Sequence, residues 1–230
     1  MSTNLSGNAL TLNNTSLTKD TLDLVKSYYY VPDNCKAGDT VILDGIECLC
    51  VATGVTIQDS NLTRIAVDKN HDLGYYQKYV GMNPNDIVTD KIVNWRWGGY
   101  GTSLGTTLTE VGYGLRNTIK CLAKVVNYTN GSYTGADGKG YPWLWRGVND
   151  FRSSHSDKWF VPSLKELLNY VYPYKSSLTF DTTTGGSSTG VFWSSSESSK
   201  TYSHNLHFDT GKNYRDYKYS YNAVRLCRAF

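Results

Sequence analysis

The sequence predicts an α+β fold built from short antiparallel strands, two helices and long irregular loops. Three observations carry that prediction. Aromatic residues reach 13%, most of them Tyr, beside only 19% charged residues and five Pro, a β- and loop-rich balance rather than a helical or disordered one. Residues 41–52 place two apolar runs on either side of Asp44-Gly45, which reads as a hairpin with a tight turn. Ser163, with Glu166 three residues on, opens an apolar stripe and forms a capping box. At 230 residues and 40% hydrophobic content the chain can bury a sizeable core, as one large domain with or without a short appendage.

The elements follow in order. Residues 1 to about 20 are polar and rich in Asn, Ser and Thr, and read as a flexible or partner-ordered arm. Leu22, Leu24 and Val25 lead into Tyr28-Tyr29-Tyr30-Val31, a short helix or strand. The 41–52 hairpin comes next, then a strand over 62–67. A long Tyr- and Gly-rich region contains Trp95, Trp97 and Gly98-Gly99-Tyr100-Gly101. The spacing predicts a helix over 117–126 with Ile119, Leu122, Ala123 and Val126 as its apolar face. A glycine-rich loop occupies 130–140. The second helix starts at the capping box and buries Leu164, Leu167, Leu168 and Val171. A Thr/Gly/Ser loop over 182–189 precedes the last strands, one of which holds Asn205, Leu206, His207 and Phe208. No tandem repeat recurs at a fixed period.

Residues 193–230 carry the functional signal. Their two ends look like fixed strands. The stretch between is dominated by Tyr, Ser, Asn, His and Asp, including Tyr202, Tyr214, Tyr217, Tyr219 and Tyr221. Tyr supplies a large rigid contact surface with one polar tip, and small polar residues adapt around it, which is how antibody paratopes are composed. Tyr217, Tyr219 and Tyr221 share one parity, with Lys218, Ser220 and Asn222 on the other. Neither side is aliphatic, so an exposed aromatic row fits a binding surface better than the plainer reading, an edge strand of a β-protein.

An ordered set of motifs resembles a known family. Gly112-x-Gly114-x-x-Asn117-Thr118 opens a helix. Asp157-Lys158-Trp159-Phe160-Val161-Pro162-Ser163-Leu164-Lys165-Glu166-Leu167 follows, then Phe192-Trp193-Ser194-Ser195-Ser196-Glu197, then Ala223-Val224-Arg225-Leu226-Cys227-Arg228. In that order they resemble the C-terminal domain of the Legionella collagen-like adhesin and its relatives. The resemblance implies a C-type-lectin-like fold of the formylglycine-generating-enzyme type over 38–230, with 1–37 as an arm for attachment or assembly.

Within that family the end of the chain is similar to the variable proteins of diversity-generating retroelements, among them phage tropism determinants. In these, error-prone copying at adenines converts Asn codons to Tyr, Ser, Asp, His and related residues. The resemblance implies a candidate variable segment over 193–230. Trp193, Ser194, Ser195 and Glu197 match its fixed opening; Val224, Arg225 and Cys227 match its closing strand. The implied ligand-binding residues lie between: Ser198, Tyr202, His204, His207, Asp209, Asn213, Tyr214, Asp216, Tyr217, Tyr219 and Tyr221. Leu206 and Phe208, alternating with polar neighbours, read as scaffold. The expected partner is a host cell-surface protein or glycan, and the expected assembly a homo-oligomer, a trimer by resemblance to phage fibres. A phage tail is the expected location, because the secretion signal and collagen repeats of the adhesins are not seen in this chain. A bacterial surface adhesin binding glycans without diversification is the alternative.

Other functions find less support. A net charge of +3 without a dense Lys/Arg cluster does not suggest nucleic acid. Met1 to Ser6 lack the basic and apolar regions of a signal peptide, and no apolar run reaches the ~20 residues of a membrane span. The five Cys (35, 48, 50, 121 and 227) form no metal motif and read as buried small hydrophobes in a reducing compartment. His204 and His207 fall on opposite faces of a strand, so no metal is expected. Asn83 to Asp86 and Val148-Asn149-Asp150 only echo calcium-site vocabulary, and the former reads as a turn. Gly98-Gly99-Tyr100-Gly101 lacks the ending of a phosphate loop. Trp95, Trp97, Trp143, Trp145 and Trp159 form either a sugar-stacking groove or buried packing. Glu166 reads as a cap and Glu197 as structural. The cysteine pair of the formylglycine-generating relatives has no counterpart. No catalytic residue and no cofactor is expected.

Overall fold

The structure is a computed structural model that describes residues 5–6, 9–12, 15–16, 19–76, 95–125, 144–180 and 190–230, with side-chain surroundings for 23–74, 95–124, 144–180 and 190–230. It is α+β, and its strand pairs are antiparallel. Strands β1 (Leu5–Ser6), β2 (Ala9–Leu12) and β3 (Thr15–Ser16) pair as a small sheet where the sequence reads as an arm. Helix α1 (Lys19–Tyr28) settles the helix-or-strand choice before Tyr29. It is tied to the hairpin by Gly45 N donating to Tyr28 O (2.7 Å) and by a bridge between Tyr30 and Ile42.

The hairpin is β4 (Thr40–Leu43) and β5 (Ile46–Thr53), with Leu43 opposite Ile46. Its turn needs positive φ at both central residues, and Asp44 (55°) and Gly45 (77°) provide it. Strand β6 is Arg64–Asp68, and a short helix α2 (Leu73–Tyr76) follows. After β7 (Trp95–Arg96) come α3 (Gly114–Val125), α4 (Leu144–Ser154) and β8 (Trp159–Phe160). Helix α5 (Leu164–Glu166) continues as a wider turn over Leu167–Val171 and a tighter one over Tyr172–Ser177. The last strands are β9 (Val191–Glu197), β10 (Tyr202–His207), β11 (Lys212–Tyr217), β12 (Tyr221–Asn222) and β13 (Cys227–Ala229).

The main sheet runs β4-β5-β6-β13-β8, so the end of the chain is inserted between β6 and β8. Both faces of this sheet are buried. Cys48, Cys50, Ala66 and Trp159 join one core with α4 and the Trp residues. Leu49, Val51, Val67, Phe160 and Cys227 join a second core with Leu167, Phe192 and Phe208. Alternation along a strand places successive side chains on opposite faces, and here each face meets its own apolar layer.

The capping box forms as read. Ser163 Oγ accepts from Glu166 N, and Glu166 Oε2 accepts from Ser163 N at 2.7 Å. Three helical readings change. Helix α3 starts three residues earlier, at Gly114, and its buried side chains are Leu115, Asn117, Thr118 and Cys121. Ile119 and Ala123 are exposed and Leu122 is half-buried. The helix is rotated because Asn117 and Thr118 have partners inside, at Leu108 O (2.8 Å) and Val161 N (3.0 Å). Helix α4 falls where the sequence suggested only Trp packing and a faint calcium echo; Leu144, Val148 and Phe151 line its buried face. With α1, this takes the described helices beyond the two expected. The loops at 130–140 and 182–189, the turn at Asn83 to Asp86, Val126 and Trp143 lie outside the described residues.

Gly112 offers a test of packing against backbone strain. Its φ is +86°, and an added Cβ would sit 2.1 Å from Thr56 O; at Gly54 φ is +70° with open space around it. Gly54→Ala is expected to cost about 1–2 kcal/mol from backbone conformation alone. Gly112→Ala adds overpacking against a main-chain carbonyl and should cost roughly 3 kcal/mol. Urea midpoints of the two variants check this, and equal losses would mean that the loop bearing Thr56 yields.

Candidate ligand-binding surface

The sheet β9-β10-β11 grades from core to surface. Strand β9 is buried at every position, β10 is mixed, and β11 is the exposed edge. Directly opposed residues of an antiparallel pair share a face. One face therefore carries Tyr202 with Tyr217, His204 with Arg215, and Leu206 with Asn213. The other carries Ser203 with Asp216, Asn205 with Tyr214, and His207 with Lys212.

The sequence-predicted residues separate into patches. Tyr202 and Tyr217 lie 4.4 Å apart by ring centroid. Tyr217 and Tyr219 stack at 4.9 Å with planes 5° apart. Tyr100 joins them, 5.0 Å from Tyr219 and 6.3 Å from Tyr217. The hydrogen bond with Tyr217 is the main reason that the Tyr202 phenol is pushed up to about 12. On the opposite face, Tyr214 packs on His207 at 4.7 Å. Tyr221 sits apart on β12, with the Arg96 guanidinium 4.8 Å over its ring.

The remaining candidates have less to offer a ligand. Asp209 is exposed in the turn between β10 and β11, where its Oδ1 accepts from Thr210 N (2.8 Å). Asn213 is exposed, whereas Ser198 is half-buried with its N–H on Tyr202 O (2.9 Å). Asp216 turns inward and accepts from Asn205 Nδ2 (2.6 Å) and Asn222 Nδ2 (3.3 Å), so it braces the hairpin. Burial, then the charge of Arg215, pushes His204 down toward the neutral ring. Tyr217, Tyr219 and Tyr221 are exposed but are not one strand row: β11 ends at Tyr217, residues 218–220 form a turn, and β12 pairs with β7.

Lys218 explains how the cluster is held. Flanked by two exposed Tyr, it is fully buried and pairs with the equally buried Glu197. Its Nζ also donates to Thr102 O (2.9 Å) and lies 4.8 Å from the Trp97 ring centre. Glu197 accepts from Leu104 N (2.9 Å), Gly105 N (3.0 Å) and Ser103 Oγ (2.9 Å). Burial pushes the Glu197 carboxyl up, but the bond from Lys218 and the donors on Leu104 and Ser103 outweigh it and hold it below its ordinary value. One buried pair thus binds the loop bearing Tyr100 to the turn bearing Tyr217 and Tyr219. Sequence reasoning missed Tyr100 and Lys218. The one available signal was the alternation itself, a Lys between two Tyr on the parity opposite to theirs.

The four motifs converge beneath this surface. Gly112 N donates to Glu166 Oε1 (2.9 Å), and Ser163 Oγ donates to Glu110 O (2.7 Å). Ser196 Oγ donates to Leu108 O (2.9 Å) and accepts from Leu164 N (3.1 Å). Burial pushes the Glu166 carboxyl up to about 7 against the pull of backbone N–H donors on Ser163, Gly112 and Gly114. Arg225 is buried, pairs with Asp72 (2.9 Å), and donates to Asp68 O, His71 O and Thr179 O. Glu166 and Glu197 are each enclosed by their own donors, as a cap and an ion-pair partner. Trp95, Trp97, Trp145 and Trp159 are buried, which decides for packing over a sugar-stacking groove.

Among the described residues no three His, Cys, Asp or Glu side chains are placed to hold a metal ion, and no helix is long and apolar enough to cross a membrane. No family model matches the chain, and no curated protein matches it. A fimbrial protein from Bacteroides ovatus ATCC 8483 is similar in structure with a TM-score of 0.44 and 12% identity over 89% of this chain. The chain spans about half of that protein's length (48%).

Proposed function

We propose that this chain is a ligand- or receptor-binding protein that displays a Tyr-rich surface on a C-type-lectin-type scaffold and performs no chemistry. The observation that carries the reading is the exposed cluster of Tyr100, Tyr217 and Tyr219, with half-buried Tyr202, held over a buried ion pair. Rigid aromatic rings offer contact area at low entropic cost, and a locked base keeps them in place. The ligand is a host cell-surface protein or glycan, and the setting is a phage tail used for host attachment. The composition between the two strand ends matches the output of adenine-directed change, so the segment is a diversified one. Single contacts of this kind are modest, and a homo-oligomer, trimeric by resemblance, supplies avidity.

Replacing Tyr214, Tyr217 and Tyr219 together by Ser is expected to abolish cell binding while shifting Tm by no more than a few degrees. All three rings are exposed, between 39 and 47%, and surface changes away from caps and buried networks cost little. Binding to host cells and a thermal melt read the two effects separately. Unfolding of the variant sinks the proposal. The DNA flanking the gene tests diversification: a near-copy of the terminal segment, differing at adenines beside a reverse transcriptase gene, is the expected finding. Its absence leaves a fixed surface adhesin, for which a glycan array is the assay.

A further inference from the structure

Five free thiols are buried in this protein, and two of them meet at the junction between the N-terminal segment and the body. Cys35 sits in the loop entering β4, where Asp33, Asn34, Lys36 and Ala37 are exposed. Cys50 lies on β5, fully buried. The loop is laid along the strand by two main-chain bonds, Gly38 N to Cys50 O and Cys50 N to Asp39 O, each 2.8 Å. Lys36 N adds a bond to Asp39 Oδ2 (2.9 Å). The two thiols belong to the same core, where the Cys50 Sγ donates to Ala52 O (3.7 Å) and, after burial, the nearby Cys35 is the next cause that raises the Cys50 thiol. The other three are placed differently. Cys48 shares the face of Cys50 but lies two residues earlier in β5, opposite Val41 of β4 and away from the Cys35 loop. Cys121 contacts Thr106 from α3, and Cys227 belongs to the opposite core.

We propose that Cys35 and Cys50 are a dithiol pair that closes to a disulfide and staples the N-terminal segment to the main sheet. The oxidant is a small or protein disulfide met outside a reducing compartment. The Cys35 sulfur, buried beneath a loop whose neighbouring residues are exposed, loses its proton and attacks one sulfur of the oxidant, and one half of the oxidant leaves as a thiol. The Cys50 sulfur then displaces the other half. Two protein S–H bonds and the oxidant S–S bond break, and one protein S–S bond and two oxidant S–H bonds form. The protein loses two electrons and two protons, and the oxidant takes up both. Cys35 lies on a loop whose neighbours are exposed while Cys50 lies on a buried strand, so the oxidant meets Cys35 first; burial, then the neighbouring Cys35, pushes the Cys50 thiol up to about 12. This inference does not rest on the proposed ligand site.

The test is incubation of the folded full chain with glutathione disulfide, followed by thiol counting in denaturant and mass spectrometry of tryptic peptides. The expected product joins peptide 27–36 to peptide 37–64, two hydrogens lighter than the separate pair. Because peptide 37–64 holds both Cys48 and Cys50, the link must persist in Cys48→Ser and vanish in Cys50→Ser. Closing a loop of this length in the unfolded chain is expected to raise Tm by about 5 °C or more, reversibly with dithiothreitol. Five free thiols after oxidation, or a link that survives Cys50→Ser, overturns the proposal. The thiol count on the unaltered chain decides the matter even where a variant fails to fold.

Discussion

Replacing Lys218 by Met is expected to lower stability by about 3–5 kcal/mol, the range for breaking one side of a buried ion pair. Glu197 would be left fully buried with the donors of Ser103, Leu104 and Gly105 but without its countercharge. For a chain of this size that corresponds to a fall in Tm of roughly 10 °C. Adding Glu197→Gln to Lys218→Met removes the stranded charge and should recover part of the loss, which a double-mutant cycle in urea measures. Because Lys218 stands between Tyr217 and Tyr219, the single variant should also weaken ligand binding, unlike a surface Lys.

The same pair sets an acid limit. The folded-state carboxyl of Glu197 lies below its ordinary value of 4.5. Its contribution is therefore present above about pH 4.5 and is lost as pH falls through the lower folded value. Urea midpoints followed downward from pH 6 should drop below 4.5, and the drop should be shallower in Glu197→Gln. An identical acid limb in both proteins would assign the loss elsewhere.

Arg225→Met is expected to be comparably severe, again about 3–5 kcal/mol. The guanidinium satisfies Asp72 and the carbonyls of Asp68, His71 and Thr179 from a fully buried position. Met fills much of the volume but leaves a carboxylate and three carbonyls without that donor. Arg225→Lys should lie between, since one ammonium cannot reproduce the planar fork. The contrast with Tyr217→Ser, eight residues earlier and expected to be nearly neutral, separates scaffold from surface within one short stretch. A melt showing Arg225→Met no worse than Tyr217→Ser would dissolve that distinction.

Several elements were legible before any coordinates. Asp44-Gly45 between apolar runs specifies a hairpin through φ sterics, and Ser163 with Glu166 specifies a helix start through backbone hydrogen bonding. Both are local, needing only a few adjacent residues. The faces of α3 were not legible in the same way. An apolar pattern pointed to Ile119 and Ala123, yet Asn117 and Thr118 went inside because distant carbonyls and amides were waiting for them. Helix α4 did carry the spacing Leu144, Val148 and Phe151, but Trp, Gly, Asn and Asp around it masked the period.

For the candidate site, the sequence by itself determined that Tyr and small polar residues crowd between two strand-like ends, because composition is a property of the chain alone. It did not determine which of them meet. Only the tertiary structure decided that Tyr100, more than a hundred residues upstream, joins Tyr202, Tyr217 and Tyr219, that Tyr214 and Tyr221 lie in other patches, and that Asp216 faces inward. The physical reason is that strand register and a buried charge pair set side-chain neighbours. Both depend on partners far away in the chain, so local periodicity does not contain them.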